Sequence, residues 1–435
     1  MNRFKLASVA ISIANLCASV ALAGEPASTN WDSVPTKTIT LFYPAQSTYQ
    51  WIRGSAHPGA AGVNGEVACL TCHKGAEETL GNKLVAANPL EPTPVAGKNG
   101  VIQLNLQIAY DNANAYFRAQ WRTRNPHPGE AHQFVRFDGK EWKTYGFPKL
   151  DRVVQKGEQP AIYEDRFSII IDDGGVPAFA NHGCWLTCHD GQRDNPKPAN
   201  RAQVTANPLY QALKQTDVRK YLPSTRTDEN ASWDKGKSPE EIAKIKAAGG
   251  FLELMQWRAH RSNPVGMADD GYVLEYRLSD AGANPFGSNV DPKTHQPRFM
   301  YDEKKVGKKA LRAEDIRKNP TALIRDQNAV PFDPNAGWKD GDLIPEYVLN
   351  REGAKGSGAD NKNVNGEWNN GMWTVVWLRP LKLTNPDDKA LVEGKVYNFS
   401  FAIHDDNITT RGHHVSFPVT VGFGAKADIE ATKLK

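Results

Sequence analysis

Two short runs have the residue types and spacing to do chemistry: Cys69-Leu70-Thr71-Cys72-His73 and Cys184-Trp185-Leu186-Thr187-Cys188-His189. In a Cys-x-x-Cys-His run the two thiols can add to the vinyl groups of a haem. The adjacent imidazole is then held where it can bind the iron. The second run has three residues between its cysteines, a rarer form of the same spacing. The pattern predicts two covalent haem c groups, attached through Cys69, Cys72, Cys184 and Cys188, with His73 and His189 as iron ligands. Two local disulfides or one four-cysteine zinc site are the other readings of these cysteines. Neither accounts for a histidine directly after the second cysteine in both places.

The chain around these runs has 435 residues. Met1-Asn2-Arg3-Phe4-Lys5 is basic, Leu6 to Val20 is mostly apolar, and Ala21-Leu22-Ala23 fits a small-residue cleavage site. Residues 1–23 therefore read as a signal peptide, with Gly24 the first mature residue. The apolar run is too short to span a bilayer comfortably. Cys17 lies within it after Leu16, where a lipoprotein signal would want a small residue, so Cys17 is expected to leave with the leader. Export places the mature chain in the periplasm, with all four remaining cysteines in the two runs. The formal net charge is +4, with Arg3 and Lys5 in the leader. The mature chain is too balanced to argue for nucleic acid. No further apolar stretch is long enough to insert into a membrane.

Residues 24–95 hold the first run among many small residues, with Ser55 to Gly62 reading as loop. This segment would gain a core only from a haem. Asn88-Pro89 to Gly97 reads as a linker. From Val101 the pattern becomes strand-like: Leu104, Leu106, Ile108 and Tyr110 alternate with Gln103, Asn105 and Gln107. Phe117, Ala119 and Trp121 share a face of the next strand, with a hairpin turn at Asp111 to Asn114. Further strands are expected at Arg166–Ile171, Tyr272–Leu278, Trp373–Leu378, Val396–Ile403 and Val415–Phe423. The fold class is mainly β: a β-sandwich over 96–435 with long loop and helix excursions, preceded by a small loop-rich c-type haem segment. One helix is signalled by Ser238, Pro239, Glu240 and Glu241, and ended by Gly249-Gly250. A polar insertion covers about 282–366. Its Lys304, Lys305, Lys308, Lys309 and Arg312 read as a solvated face.

Several segments carry a resemblance: Trp51 to His57, Tyr163-Glu164-Asp165-Arg166, Gly183 to His189, Asp270 to Leu274, Trp373 to Leu381, Phe401 to Asp406, and Arg411 to Ser416. With these the chain resembles the ethylbenzene dehydrogenase-related haem-binding family, which also contains c-type cytochromes. The resemblance implies a β-sandwich haem domain. In the family's enzyme branch that domain is the γ subunit of a molybdenum enzyme and holds a non-covalent b-type haem between a Met and a Lys. Here a covalent run with His189 stands at the Met position, and Gly412 to Ser416 stands at the Lys position. The departure favours the cytochrome branch, whose members resemble periplasmic carriers of anaerobic respiration.

Each iron then needs a second axial ligand. His57 lies in a Gly/Ala/Pro loop near the first run, where nothing needs an imidazole for packing. It is the candidate for the first haem, and a ligand crossing between haems stays open. For the second haem the family comparison leans to His413. Strand alternation sends His413 and His414 to opposite faces, so only one can point at a haem. His404 and His414 stay open, and His404-Asp405 could instead orient another imidazole from behind. Met255, Met267, Met300 and Met372 read as packing residues. His182 is too close to Cys184 to reach across a haem, and His127, His132, His260 and His295 read as surface. The function expected is electron transfer by a periplasmic dihaem c-type cytochrome, not an enzyme by itself. Its redox partners would include, by family analogy, a membrane-anchored multihaem quinol dehydrogenase. The second reading is the haem-bearing subunit of a molybdenum oxidoreductase of the ethylbenzene dehydrogenase/DMSO reductase type. A dihaem peroxidase would need an open iron.

Overall fold

The structure is a computed structural model that describes residues 29–123, 129–383 and 385–434; the expected leader and His127 lie outside them. One sheet of thirteen strands organises the chain. They are β1 (Lys37–Phe42), β2 (Val101–Tyr110), β3 (Asn114–Arg122), β4 (Arg166–Asp172), β5 (Leu252–Arg258), β6 (Gly271–Val273) and β7 (Arg277–Ser279). Then follow β8 (Asn363–Asn369), β9 (Met372–Pro380), β10 (Lys395–His404), β11 (His414–Val415), β12 (Val419–Phe423) and β13 (Ile429–Lys433). The order across the sheet is β8-β9-β3-β2-β1-β11-β10-β4-β5-β6-β7. β12 pairs with β10 and β13, and β13 pairs with β2, so six strands close into a ring.

Period-two alternation explains the core. Leu104, Leu106 and Ile108 of β2, Phe117, Ala119 and Trp121 of β3, and Trp373, Val375 and Trp377 of β9 are buried on one face. They meet Phe167, Ile169 and Ile171 of β4, Met255 and Trp257 of β5, and Phe399, Phe401 and Ile403 of β10. This is the two-layered, mainly β arrangement the sequence predicts. The turn at Asp111 is closed by its carboxylate, which accepts from the Ala113 and Asn114 amides at 2.7 Å. β4 and β5 are buried along their whole length, which means their second face is covered as well.

Some expectations are corrected. Tyr272–Leu278 is not one strand but the hairpin of β6 and β7. Val415–Phe423 is split between β11 and β12, with Pro418 in the gap, where a residue without an N–H cannot continue the ladder. β1 and β5 were not anticipated. β1 comes from the N-terminal segment and sits in the main sheet between β2 and β11. That segment also has more helix than its small residues implied: α1 (Tyr49–Arg53), α2 (Ala60–Asn64), α3 (Cys69–His73) and α4 (Glu77–Val85). The helix Pro239–Ala247 forms with a full capping box between Ser238 and Glu241. The polar excursion has a small core of its own. Tyr301, Leu311, Leu343 and Ile344 pack there against Phe134, Val135 and Trp142, and Leu343–Pro345 pairs with Phe134–Phe137.

Candidate functional site

One helical turn, α3, carries the first run. Positions i, i+3 and i+4 share a helix face, so Cys69, Cys72 and His73 project together. His57 stands beside them. Its Nδ1 lies 2.8 Å from the Ile52 carbonyl oxygen. A carbonyl can only accept, so Nδ1 carries the proton and Nε2 keeps its lone pair. The His57 and His73 ring centroids are 6.1 Å apart. A metal bonded at about 2 Å to one nitrogen of each ring would place the centroids about 6 Å apart, so the pair suits two axial positions. His73 also lies parallel to Phe417, with centroids 6.1 Å apart and planes within 5°.

The second run is positioned by a glycine. Gly183 ends the helix Pro177–His182 at φ +55, and a Cβ there would come 2.8 Å from Pro418 Cδ. Only glycine fits both constraints, and the turn delivers Cys184 and Cys188 to a cavity of about 360 Å³. The cavity floor is the second face of the β5-β4-β10 layer: Leu254, Gln256 and Arg258, then Arg166, Ser168 and Ile170, then Ala402 and His404. His413 and Val415 continue it. The His404 and His413 rings stack at 4.9 Å and 12°. That is too close for an iron between them, so they present side by side on one wall. Burial holds both imidazoles well below their ordinary pKa, in the neutral form that binds metals. His414 points away, with Nε2 2.8 Å from the Asn99 carbonyl, as strand alternation predicts.

His189 does not face this cavity. Its Nε2 lies 2.9 Å from the Tyr221 carbonyl and its Nδ1 is 3.2 Å from Gln50 Nε2. The ring stacks on Tyr221 at 3.8 Å and 6°. Cys184 and Cys188 are thus brought together with His413 and His404, while the His189 ring packs on Tyr221 beside them. Two further expectations are corrected. His132 and His260 are buried rather than at the surface, because each packs on aromatic rings, His132 on Tyr163 and Tyr347 and His260 on Phe134. His295 is exposed as expected, whereas His182 is buried.

Among the described residues no disulfide joins the four cysteines of the two runs. Among the described residues no cluster of metal-ligating side chains contains a cysteine, so the four do not gather as a zinc site would require. Burial pushes the Cys69 and Cys184 thiols up to about 11, unlike the thiolates of reactive Cys pairs.

The cavity is apolar at the Ile170, Leu254 and Trp185 end and strongly basic at the other. Arg166, Arg258, Arg261 and Arg277 line it. Their carboxylate partners are Glu164, 2.6 Å from Arg261 Nε, and Asp269, 2.6 Å from Arg258 Nε. These four guanidiniums share the two carboxylates, and Arg193, Arg219, Arg411 and Lys220, against Asp194, add to the positive lining. Arg166 Nε and Nη2 are buried without a hydrogen-bond partner, with Glu164 3.5 Å from Nε as an ion-pair partner, so the guanidinium keeps hydrogen-bonding capacity for a further anion. An apolar plate with two carboxylates, which is what a haem is, matches this lining, and the thiols, imidazoles and buried guanidiniums fit that group. Sequence reasoning did not single out Phe417, Lys220 (3.1 Å from Cys188 Sγ) or the roles of Arg258 and Arg277. Arg166 was visible only as the start of a strand and as part of a family segment.

Both runs touch one apolar cluster. Cys184, Trp185 and Leu186 belong to it, and Cys69 and Leu70 pack against it. Within it Phe417 lies 5.5 Å from Trp185 and 4.9 Å from Phe42. Ring contacts thus run from His73 through Phe417 to Trp185, the residue after Cys184.

Comparison with known proteins places these features. The family profile described as "Ethylbenzene dehydrogenase" matches residues 29–416. The chain is 25% identical to cytochrome c-552 of Stutzerimonas stutzeri over 415 residues, covering 95% of this chain and 93% of that one. It is 27% identical to cytochrome c-551 of Rhodocyclus tenuis over 171 residues, 38% of this chain and 58% of the relative. With a profile match across most of its length, the chain belongs to the ethylbenzene dehydrogenase family.

Proposed function

We propose that this protein is a periplasmic dihaem c-type cytochrome that passes electrons between redox partners. The observation that carries the reading is the shared apolar cluster: two Cys/His runs, far apart in sequence, pack on the same aromatic residues. Cys69 and Cys72 would hold the first haem, with His73 and His57 at its iron. Cys184 and Cys188 would hold the second, with its propionates toward Arg166 and Arg277. The cavity offers His413 and His404 side by side, and His413 is the ligand of this reading. His189 joins them only if it exchanges Tyr221 and Gln50 for the iron. A bound haem supplies a one-electron couple. The chain supplies the rest: imidazole ligands, a shared apolar wall, and buried cations that set the charge around one of the groups. Relatives named as cytochromes c support the same reading. Among the described residues no helix is long and apolar enough to cross a membrane.

The family description also supports a second reading, a haem subunit that exchanges electrons with a molybdenum enzyme. Purification from the native periplasm separates the two. A haem-staining species that elutes alone at the size of this chain supports the carrier. Stable co-elution with a molybdopterin-containing chain, or recovery of the protein outside the periplasm, counts against it.

A further inference from the structure

Five carboxylates meet at one end of the sandwich, outside the cavity described above. Glu253 is on β5, Asp270 precedes β6, Asp280 follows β7, and Asp387 and Asp388 lie between β9 and β10. Oxygens of Glu253, Asp270 and Asp388 lie within 4.8 Å of one another, as do oxygens of Asp280, Asp387 and Asp388. Asp388 belongs to both groups. Arg379 bonds Glu253 at 2.7 and 2.8 Å, and Asn361 donates to Asp270. Neither hydrogen-bonds Asp280.

Asp280 supplies a second observation. It is only 6% exposed, and both of its carboxylate oxygens are buried with no hydrogen-bond partner. Asp388, half-buried beside Asn385, stands against it. A buried carboxylate aimed at its own kind, with neither oxygen satisfied, is strongly unfavourable unless a proton or a cation compensates it. Repulsion and burial accordingly push Asp280 up to about 9 and Asp388 up to about 7.

We propose that this cluster binds a calcium ion that clasps the two layers of the sandwich at this end. The donors are hard oxygens only, with no imidazole or thiol, which excludes the preferences of zinc and copper. Calcium bonds to oxygen at about 2.3–2.6 Å with six to eight ligands, so its opposite ligands stand about 5 Å apart, as this cluster allows. Magnesium needs a tighter octahedron and keeps several waters, which a buried, carboxylate-crowded site does not suit. Bound calcium would join β5, β6, β7 and the segment before β10 through their side chains. Arg379 of β9 would extend the tie to the opposite layer through Glu253.

The test uses the purified full-length holoprotein. Metal analysis should find one calcium per chain after exhaustive dialysis against calcium-free buffer. Treatment with EGTA should remove it and lower Tm by several degrees. Added CaCl2 should restore Tm in a concentration-dependent way, as for any ligand that binds only the folded state, and MgCl2 should do so much less. Asp280→Asn and Asp388→Asn each remove one of the crowded charges, so both variants should fold. In EGTA their Tm should equal or exceed that of the parent, and the response to CaCl2 should be lost. Absence of calcium from the parent, with a Tm indifferent to millimolar CaCl2, would overturn the proposal. So would variants that respond to calcium as the parent does.

Discussion

Asp269 and Asp270 are neighbours in the chain and serve opposite sides of one strand segment. Asp269 accepts from Arg258 Nε and Nη2 at 2.6 and 2.8 Å on the wall of the basic cavity. Asp270 turns the other way, into the carboxylate cluster. Alternation along extended chain is the cause. One peptide unit therefore separates a residue that sets the cavity's charge from one in the clasp we infer.

Removing the Asp269 carboxylate should strand a buried guanidinium. Arg258 and Asp269 side chains are 8% and 9% exposed, and breaking such a pair from one side costs about 3–5 kcal/mol. Asp269→Ala should lower the urea midpoint of unfolding accordingly, whereas replacement of the exposed Asp340, paired with Arg136, should change it by less than about 1 kcal/mol. Equal, small effects at both sites would show that Arg258 does not depend on this partner.

The histidines can be sorted by spectroscopy. His57→Ala and His413→Ala should each keep covalent haem, since the thioethers do not involve them, and each should turn one low-spin ferric haem high-spin or water-ligated. The potential of that haem should rise as an imidazole donor is lost. His414→Ala should leave both haem spectra unchanged, because its ring is committed to Asn99. A ligand lost in His414→Ala, or low-spin spectra in both other variants, would reassign the axial positions. His404→Ala and His189→Ala complete the series and show which of the stacked pair, and whether the ring now on Tyr221, reaches the iron.

Arg166 should tune the second haem. Ferric haem carries one more positive charge than ferrous, so a nearby buried cation favours reduction. Arg166→Gln should lower one of the two midpoint potentials by a shift on the order of 50 mV, near the tenfold value for one electron. Spectroelectrochemical titration reads both potentials at once. Two unchanged midpoints would place the haem away from this guanidinium.

The carboxylate cluster makes a pH prediction for the chelated protein. Asp280 and Asp388 sit near about 9 and about 7 in the fold, against about 3.9 when unfolded. Between those values the folded state binds more protons than the unfolded one, so stability falls as pH rises. The groups facing them are Glu253, Asp270 and Asp387, which repel, and Lys246 and Arg379, which attract. In EGTA, Tm should fall from pH 5 to pH 9 more steeply for the parent than for Asp280→Asn. Saturating calcium should flatten the difference. Parallel curves for the two proteins would show that Asp280 does not titrate with the fold.

Much of the fold was legible because one face of each strand is apolar. Leu104, Leu106 and Ile108, or Trp373, Val375 and Trp377, alternate cleanly and were found. β5 was missed because both of its faces are buried: Leu254, Gln256 and Arg258 look onto a cavity, and their mixed polarity hides the period. β1 was missed because it is short and lies in a segment whose small residues suggested loop. The cysteines and His57 could be picked from residue type and spacing, and His413 only through the family resemblance. The guanidinium cluster could not be picked, since Arg166, Arg258 and Arg277 come from three strands and only the register brings them together. The same is true of the five carboxylates. The contacts of His189 with the Tyr221 carbonyl and ring and with Gln50 were likewise not legible, since they join segments far apart in the chain.

The central claim is that both Cys/His runs carry covalent haem, and the pyridine haemochrome of the purified holoprotein, read against protein concentration, tests it most directly. The account predicts two c-type haems per chain, falling to one in Cys69→Ser/Cys72→Ser and to one in Cys184→Ser/Cys188→Ser. One haem in the parent chain, or a haem that acid-acetone extracts from the second site, would contradict it.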